Sequence, residues 1–179
     1  MIRVLYLFLW LMFFRMPEEQ RIAIPTNQMA YMVGLSEDEF NYFAQVVEAE
    51  SDRSEGCTNG KIYVAACIWD RLNGSPWPDT LRGVLDQSGQ FSTTSGGSCW
   101  CKKTPGSELA IVEAYISLQN GDIPTNLYYF NCIGYNYGTP YGKIGDNYFM
   151  TSGDEEEFVW NDDMYNDVPD LSFFSILWR

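Results

Sequence analysis

Residues 61–72, "KIYVAACIWDRL", are apolar on nearly every side of a helix from Ile62 to Leu72. A helix of that kind has no solvent face, so it fits only at the centre of a fold with other elements packed around it. A chain of 179 residues can supply those elements within one domain and is too short to make two domains the default. With 46% apolar, 16% aromatic and 20% charged residues, the composition is that of a folded globular protein.

The flanking segments carry their own start and stop signals. "LSEDEF" sets Ser36 as an N-cap with Glu39 three residues on and Leu35 ahead as a staple residue, which predicts a helix over about 37–51. "PWPDTLRGVLDQ" predicts a shorter helix, begun by Pro78 and stopped near Ser88 and Gly89. "SELAIVEAYISLQNGD" places Leu109, Val112, Ala114 and Ile116 near helical spacing and ends at Asn120 and Gly121, a C-cap pair. "NLYYFN" and "KIGDNYFM" read as short strands bordering a loop, "CIGYNYGTPYG". "SGQFSTTSGGSCWCKKTPGS" is a long glycine-rich loop, and loops of that length in compact domains are usually functional. The fold class expected is α+β, mostly helical, with a small β-region and no internal repeat.

These signals put one domain over 36–150. The mixed, proline-containing stretch 16–35 reads as a linker. Residues 1–15, "MIRVLYLFLWLMFFR", form an apolar leader with eleven consecutive apolar residues between Arg3 and Arg15. That run is too short to span a bilayer as a helix but matches the core of a secretory signal. The small-residue cleavage site is missing, so an export signal and an uncleaved or mis-started leader, the latter with Met16 as the start, stand as equal readings. Residues 151–179 form an acidic extension holding Asp154, Glu155, Glu156, Glu157, Asp162, Asp163, Asp167 and Asp170, and its plain reading is a solvated tail.

The formal net charge is −13, with only eleven basic residues, scattered through the chain, which argues against nucleic acid as a partner. The sequence contains no histidine. That one absence excludes Ser-His-Asp and Cys-His catalysis, His-ligated zinc and HExxH hydrolysis. The five cysteines, Cys57, Cys67, Cys99, Cys101 and Cys132, form no CxxC pair and no zinc spacing. Cys67 reads as a buried small hydrophobe. For Cys99 and Cys101 a disulfide to Cys57 or Cys132 is open. Chemistry must come from carboxylates, hydroxyls, amides or thiols, and no metal or cofactor is required.

Two glutamates end the first long helix in "QVVEAESDR". Placed at 100° intervals, Phe40, Phe43, Val46 and Val47 form an apolar stripe about 120° wide, and Glu50 falls within it. Glu48 falls on the opposite side with Glu37, Asn41 and Gln45, which predicts that it faces water. A carboxyl at the end of an apolar stripe is desolvated, which favours the protonated form that a general acid needs. The structural alternative is a helix-end pair of Glu50 with Lys61 or Arg71.

The order of motifs "VVEAES", "GKIYVAACIWDRL", "PDTLRGVLDQSGQFS" and "ELAIVEAYISLQNGDIPTNLYYFN" resembles the SleB-type cell wall hydrolases, bacterial and phage enzymes that cut the glycan strand of peptidoglycan. The resemblance implies a lysozyme-like catalytic domain over 36–150, acting on peptidoglycan in the cell envelope or outside it, or as a cytoplasmic prophage lysin. A monomer with no stable membrane span is expected. It also implies that the functional glutamate is the one ending the first helix, which maps onto Glu50, with Glu48 as the minor candidate because two extra residues precede Gly60. The family's usual Asn-Arg is Asp70-Arg71 here, and a histidine seen in an Ile-Gly-x-His context corresponds to Asn147.

Better-known members are lytic transglycosylases, in which one carboxyl suffices. No second catalytic carboxylate is evident, although Asp70 and Asp86 are open candidates for the two-carboxylate hydrolysis of a muramidase. For sugar contacts, Gln90 and Ser92 in "GQFS" and Tyr128 and Asn131 in "NLYYFN" are the candidates, with core roles favoured for Tyr129 and Phe130. The rival from another class is a glycan-binding or phage structural protein without turnover, favoured by the Asn147 departure and by the repulsion between an anionic wall and the net charge.

Overall fold

The computed structural model describes residues 13, 15–51, 54–91, 94–95 and 98–152. Six helices and two small sheets are built from them. In chain order these are α1 (Glu18–Ile22), α2 (Thr26–Met32), α3 (Glu37–Glu50), α4 (Asn59–Asn73), α5 (Leu81–Leu85), β1 (Thr94–Ser95), β2 (Ser98–Cys99), α6 (Pro105–Asn120), β3 (Leu127–Asn131), β4 (Thr139–Ile144) and β5 (Asn147–Thr151). The leader, apart from Phe13 and Arg15, and the acidic extension beyond Ser152 lie outside the described residues.

The central helix is α4, buried continuously from Gly60 to Arg71. α3, α6 and the three-stranded sheet pack around it, as its lack of a polar face requires. Local chemistry sets the boundaries. Ser36 and Glu39 form the reciprocal capping box at the start of α3. Thr104 and Ser107 do the same for α6, whose first residue is Pro105 and whose end is closed by Gly121 at φ +80°. α5 begins at Leu81 rather than at Pro78, because the Thr80 side chain accepts from the Gly83 amide and so caps the helix three residues later than proline alone suggests.

The sheet has the order β3–β5–β4, all antiparallel. Leu127, Ile144 and Phe149 are buried in the core cluster, and the ring of Phe149 lies 5.6 Å from Tyr63 of α4. The loop expected over 132–142 is shorter than its composition suggests, since Thr139 to Gly142 belong to β4. Pro140 has no amide to donate, a defect that an edge strand tolerates.

The linker expected over 16–35 is instead two short helices docked on the domain, with Met29 and Ala30 buried. Ion pairs and hydrogen bonds hold them. Arg21 pairs with Glu113 of α6, the Thr26 hydroxyl donates to Glu108 at 2.6 Å, and Lys103 pairs with the same Glu108 carboxylate. None of this shows in a local pattern, because both helices are too short to display a period and their partners lie some ninety residues away.

Candidate active site

Glu50 is the last residue of α3 and is partly exposed. A helix end leaves backbone carbonyls without partners. At this one, Asn147, the first residue of β5, donates from Nδ2 to the Glu50 carbonyl at 2.8 Å. The Ser51 hydroxyl donates to the Val47 carbonyl at 2.6 Å. The segment that turns back toward α4 is fixed from below by a buried ion pair. The Lys61 Nζ, at 0% exposure, donates to Glu48 Oε2 at 2.7 Å, to Thr104 Oγ1 at 3.3 Å and to the Ser54 carbonyl. Thr104 Oγ1 donates to the same Glu48 oxygen at 2.6 Å. Gly106 then lets the start of α6 press against the backbone of Gly56, so closely that a Cβ there would overlap the Gly56 carbonyl.

Glu48 is therefore not the water-facing residue that the helical wheel predicts; it is 5% exposed. The wheel assumes one packed side, whereas the last turns of α3 are covered on two, by the core and by the Lys61–Thr104 group. Its carboxylate is saturated by a cation and a hydroxyl, which makes it a structural anchor. The two cations weighed as partners for Glu50 bond to other groups: Lys61 pairs with Glu48, and Arg71 donates from Nε to the Tyr128 carbonyl at 2.7 Å and stacks on Trp77 with 4.4 Å to the ring centre.

The two candidate second carboxylates are each bonded to another group. Asp86 accepts from the Tyr42 hydroxyl at 2.6 Å, and Tyr42 lies about 12 Å back along α3 from Glu50. Asp70 lies about 13 Å along α4 from Lys61, at the opposite end of the central helix. It accepts from the Leu127 amide at 2.8 Å, and burial pushes its pKa up to about 7.

The sugar-contact candidates divide. Asn131 pairs in register with Tyr148, one residue from Asn147, so it stands at the Glu50 end of the sheet. Its Oδ1 accepts from the Ile133 and Gly134 amides, both at 2.9 Å, which folds the following loop back and leaves its Nδ2 as the group able to reach a ligand. Gln90 is exposed in the turn after α5, and its neighbour Phe91 is buried with its ring 6.2 Å from Phe130. Tyr128 lies about 10 Å along β3 from Asn131, beside Asp70, and does not share a site with Glu50. Ser92 lies outside the described residues. Phe130 packs on Phe149 at 5.7 Å, in the core role expected of it. None of the five cysteines is joined in a disulfide, and Cys67 is fully buried as expected.

The sequence left Asn147 with a weakened role, offered Lys61 as a partner for Glu50 rather than for Glu48, and did not point to Thr104. A signal existed for Thr104, since Thr-Pro-x-Ser before a helix is a capping pattern. For Lys61 the pairing with a glutamate at the end of α3 was legible, but which glutamate depends on packing that the sequence does not display.

A family model described as Cell Wall Hydrolase matches residues 55–150, a stretch that covers more than half of the chain and begins beyond Glu50. The spore cortex-lytic enzyme of Oceanobacillus iheyensis is 33% identical over 100 residues, which cover 55% of this chain and 34% of that enzyme. The spore cortex-lytic enzyme of Halalkalibacterium halodurans is 31% identical over 116 residues, covering 64% of this chain and 32% of that one. The chain thus spans about a third of the length of the curated relatives it matches. In fold it is similar to the catalytic domain of the Bacillus cereus SleB protein, with a TM-score of 0.53 and 22% identity over 65% of this chain and 91% of that domain.

Proposed function

Because this chain belongs to the cell wall hydrolase family, we propose that it cuts the glycan strand of peptidoglycan between N-acetylmuramic acid and N-acetylglucosamine, as a lytic transglycosylase with Glu50 as its acid and base. The carrying observation is that Glu50 stands on a partly exposed helix end, with Asp70 and Asp86 each engaged elsewhere. Two-carboxylate hydrolysis needs the partners about 5–9.5 Å apart. One carboxyl suffices if the substrate supplies the nucleophile.

In that reaction the Glu50 carboxylic acid donates its proton to the glycosidic oxygen, and the bond from the muramic C1 to that oxygen breaks. The resulting carboxylate takes the proton of the muramic 6-hydroxyl, whose oxygen closes on C1 to give the 1,6-anhydro ring. Glu50 is then protonated again. The bond from Asn147 fixes where the acid stands by tying the end of its helix to the sheet. Gln90, Ser92 and the Asn131 amide are the side chains proposed to hydrogen-bond sugar hydroxyls and acetamido groups. The substrate lies outside the cytoplasmic membrane, and among the described residues no helix is long and apolar enough to cross one.

Mass spectrometry of purified peptidoglycan, with and without cortex muramic lactam, tests this. Wild type is expected to release anhydro-muropeptides, and Glu50→Gln to lower that rate by about 10²–10⁴-fold, the range of a lost general acid. Reducing-end products would replace transglycosylation by hydrolysis, and no products on either substrate would favour glycan binding without turnover.

A further inference from the structure

The end of the molecule away from Glu50 holds a cavity of about 590 Å³ between the C-terminal turns of α4 and α6, the Val33–Leu35 turn and β3. Its walls include Trp69, Tyr115 and Tyr128, and one buried polar side chain, Asp70 at 5% exposure. The aromatic walls are held firmly. Trp69 donates from Nε1 to the Ile111 carbonyl at 3.2 Å, and its ring lies 5.2 Å from that of Tyr115. Gly74 makes room for Tyr128, since a Cβ there would overlap the phenol oxygen.

Asp70 has only one hydrogen bond among the described residues, from the Leu127 amide to Oδ2. An asparagine would keep that bond through its own oxygen. The carboxyl is therefore more than the backbone tie requires. Among the described residues no Lys or Arg lines the cavity, and the adjacent Arg71 guanidinium is stacked on Trp77 instead. A carboxyl among aromatic faces, without a cation of its own, is the arrangement that binds a cation from outside: charge pairing supplies one part and the ring quadrupoles another. A buried acid without a partner also drifts to its neutral form, and here its pKa is pushed up to about 7 by burial. The net charge of −13 raises the local concentration of cations.

We propose that this cavity is a binding site for a small organic ammonium ion, with Asp70 as its counter-ion and Trp69, Tyr115 and Tyr128 as its walls. The site is separate from Glu50 by the length of the central helix, and its occupancy is independent of glycan cleavage.

Calorimetric titration of the full chain at pH 8 with n-butylammonium chloride, n-butanol and N-acetylglucosamine tests it. Of the groups that feel Asp70, the Cys67 thiol is pushed up to about 12 and the Tyr128 phenol is also raised, so both are neutral at that pH, and among the described residues the one neighbouring charge is the constant one of Arg71. Saturable one-to-one binding of n-butylammonium is expected, with no saturation by n-butanol. Asp70→Asn should weaken it by at least about tenfold, a loss typical of a missing counter-ion. Tyr115→Leu should weaken it by about threefold, with both variants shown to be folded by their thermal transitions. Equal affinity in wild type and Asp70→Asn overturns the proposal. So does saturation by N-acetylglucosamine without n-butylammonium, or no binding of n-butylammonium to wild type.

Discussion

The two ends of α4 each bury a carboxyl, and they neutralise it in opposite ways. At the N-terminal end, Glu48 meets Lys61 and Thr104 and forms a closed set of charge-assisted bonds. At the C-terminal end, Asp70 meets one backbone amide and an aromatic cavity. The first arrangement holds its charge and locks three elements together beneath Glu50. The second holds a charge poorly, so it takes up a proton or waits for a cation. An acid buried beside a cation fixes a structure, while one buried without a cation leaves a place to be filled.

Breaking the closed set is expected to have the largest effect. Lys61→Met strands the Glu48 carboxylate in the core and should cost about 3–5 kcal/mol in urea unfolding, whereas Glu48→Gln combined with Lys61→Met should recover much of that loss. Recovery of nothing in the double variant would show that Lys61 acts through Ser54 and Thr104 alone.

The open end should respond with the opposite sign. The pKa of Asp70 is raised from 3.8 to about 7, so the folded state binds the extra proton between those values. Wild-type stability contributed by this group is full below pH 3.8 and is lost as pH rises through 7. Asp70→Asn removes the loss, so its melting temperature should match wild type near pH 3.5 and exceed it at pH 8, by a free energy on the order of a few kcal/mol. An advantage that does not change with pH would separate the effect from ionisation.

The smallest effect is expected at Asn147. Its replacement by alanine removes one hydrogen bond from the Glu50 carbonyl, about 1 kcal/mol of stability, yet on the proposed mechanism it should lower kcat more than it raises KM, because it loosens the proposed acid and not the proposed sugar contacts. A change confined to KM would move Asn147 into the binding surface.

Much of this fold is legible in the sequence wherever one element declares itself. Ser36 with Glu39 announces α3, continuous apolarity from Ile62 announces a buried α4, and Gly121 announces the end of α6. What escapes reading depends on distant partners. α1 and α2 are anchored by Glu113 and Glu108, and β4 hides behind Thr-Pro-Tyr-Gly because its place at the sheet edge excuses the proline. At the site, the wheel misplaces both glutamates: it sets Glu50 in the buried stripe and Glu48 in water, whereas Glu50 is partly exposed and Glu48 is buried. Amphipathicity measures one face, and the end of α3 has packing on two.

The bond from Asn147 to the Glu50 carbonyl bears on how such a protein does without histidine. The position asks for an N–H aimed at a carbonyl, and carboxamide and imidazole both carry one. An amide in that place ties the end of α3 to the first residue of β5 without a group that titrates near neutral pH.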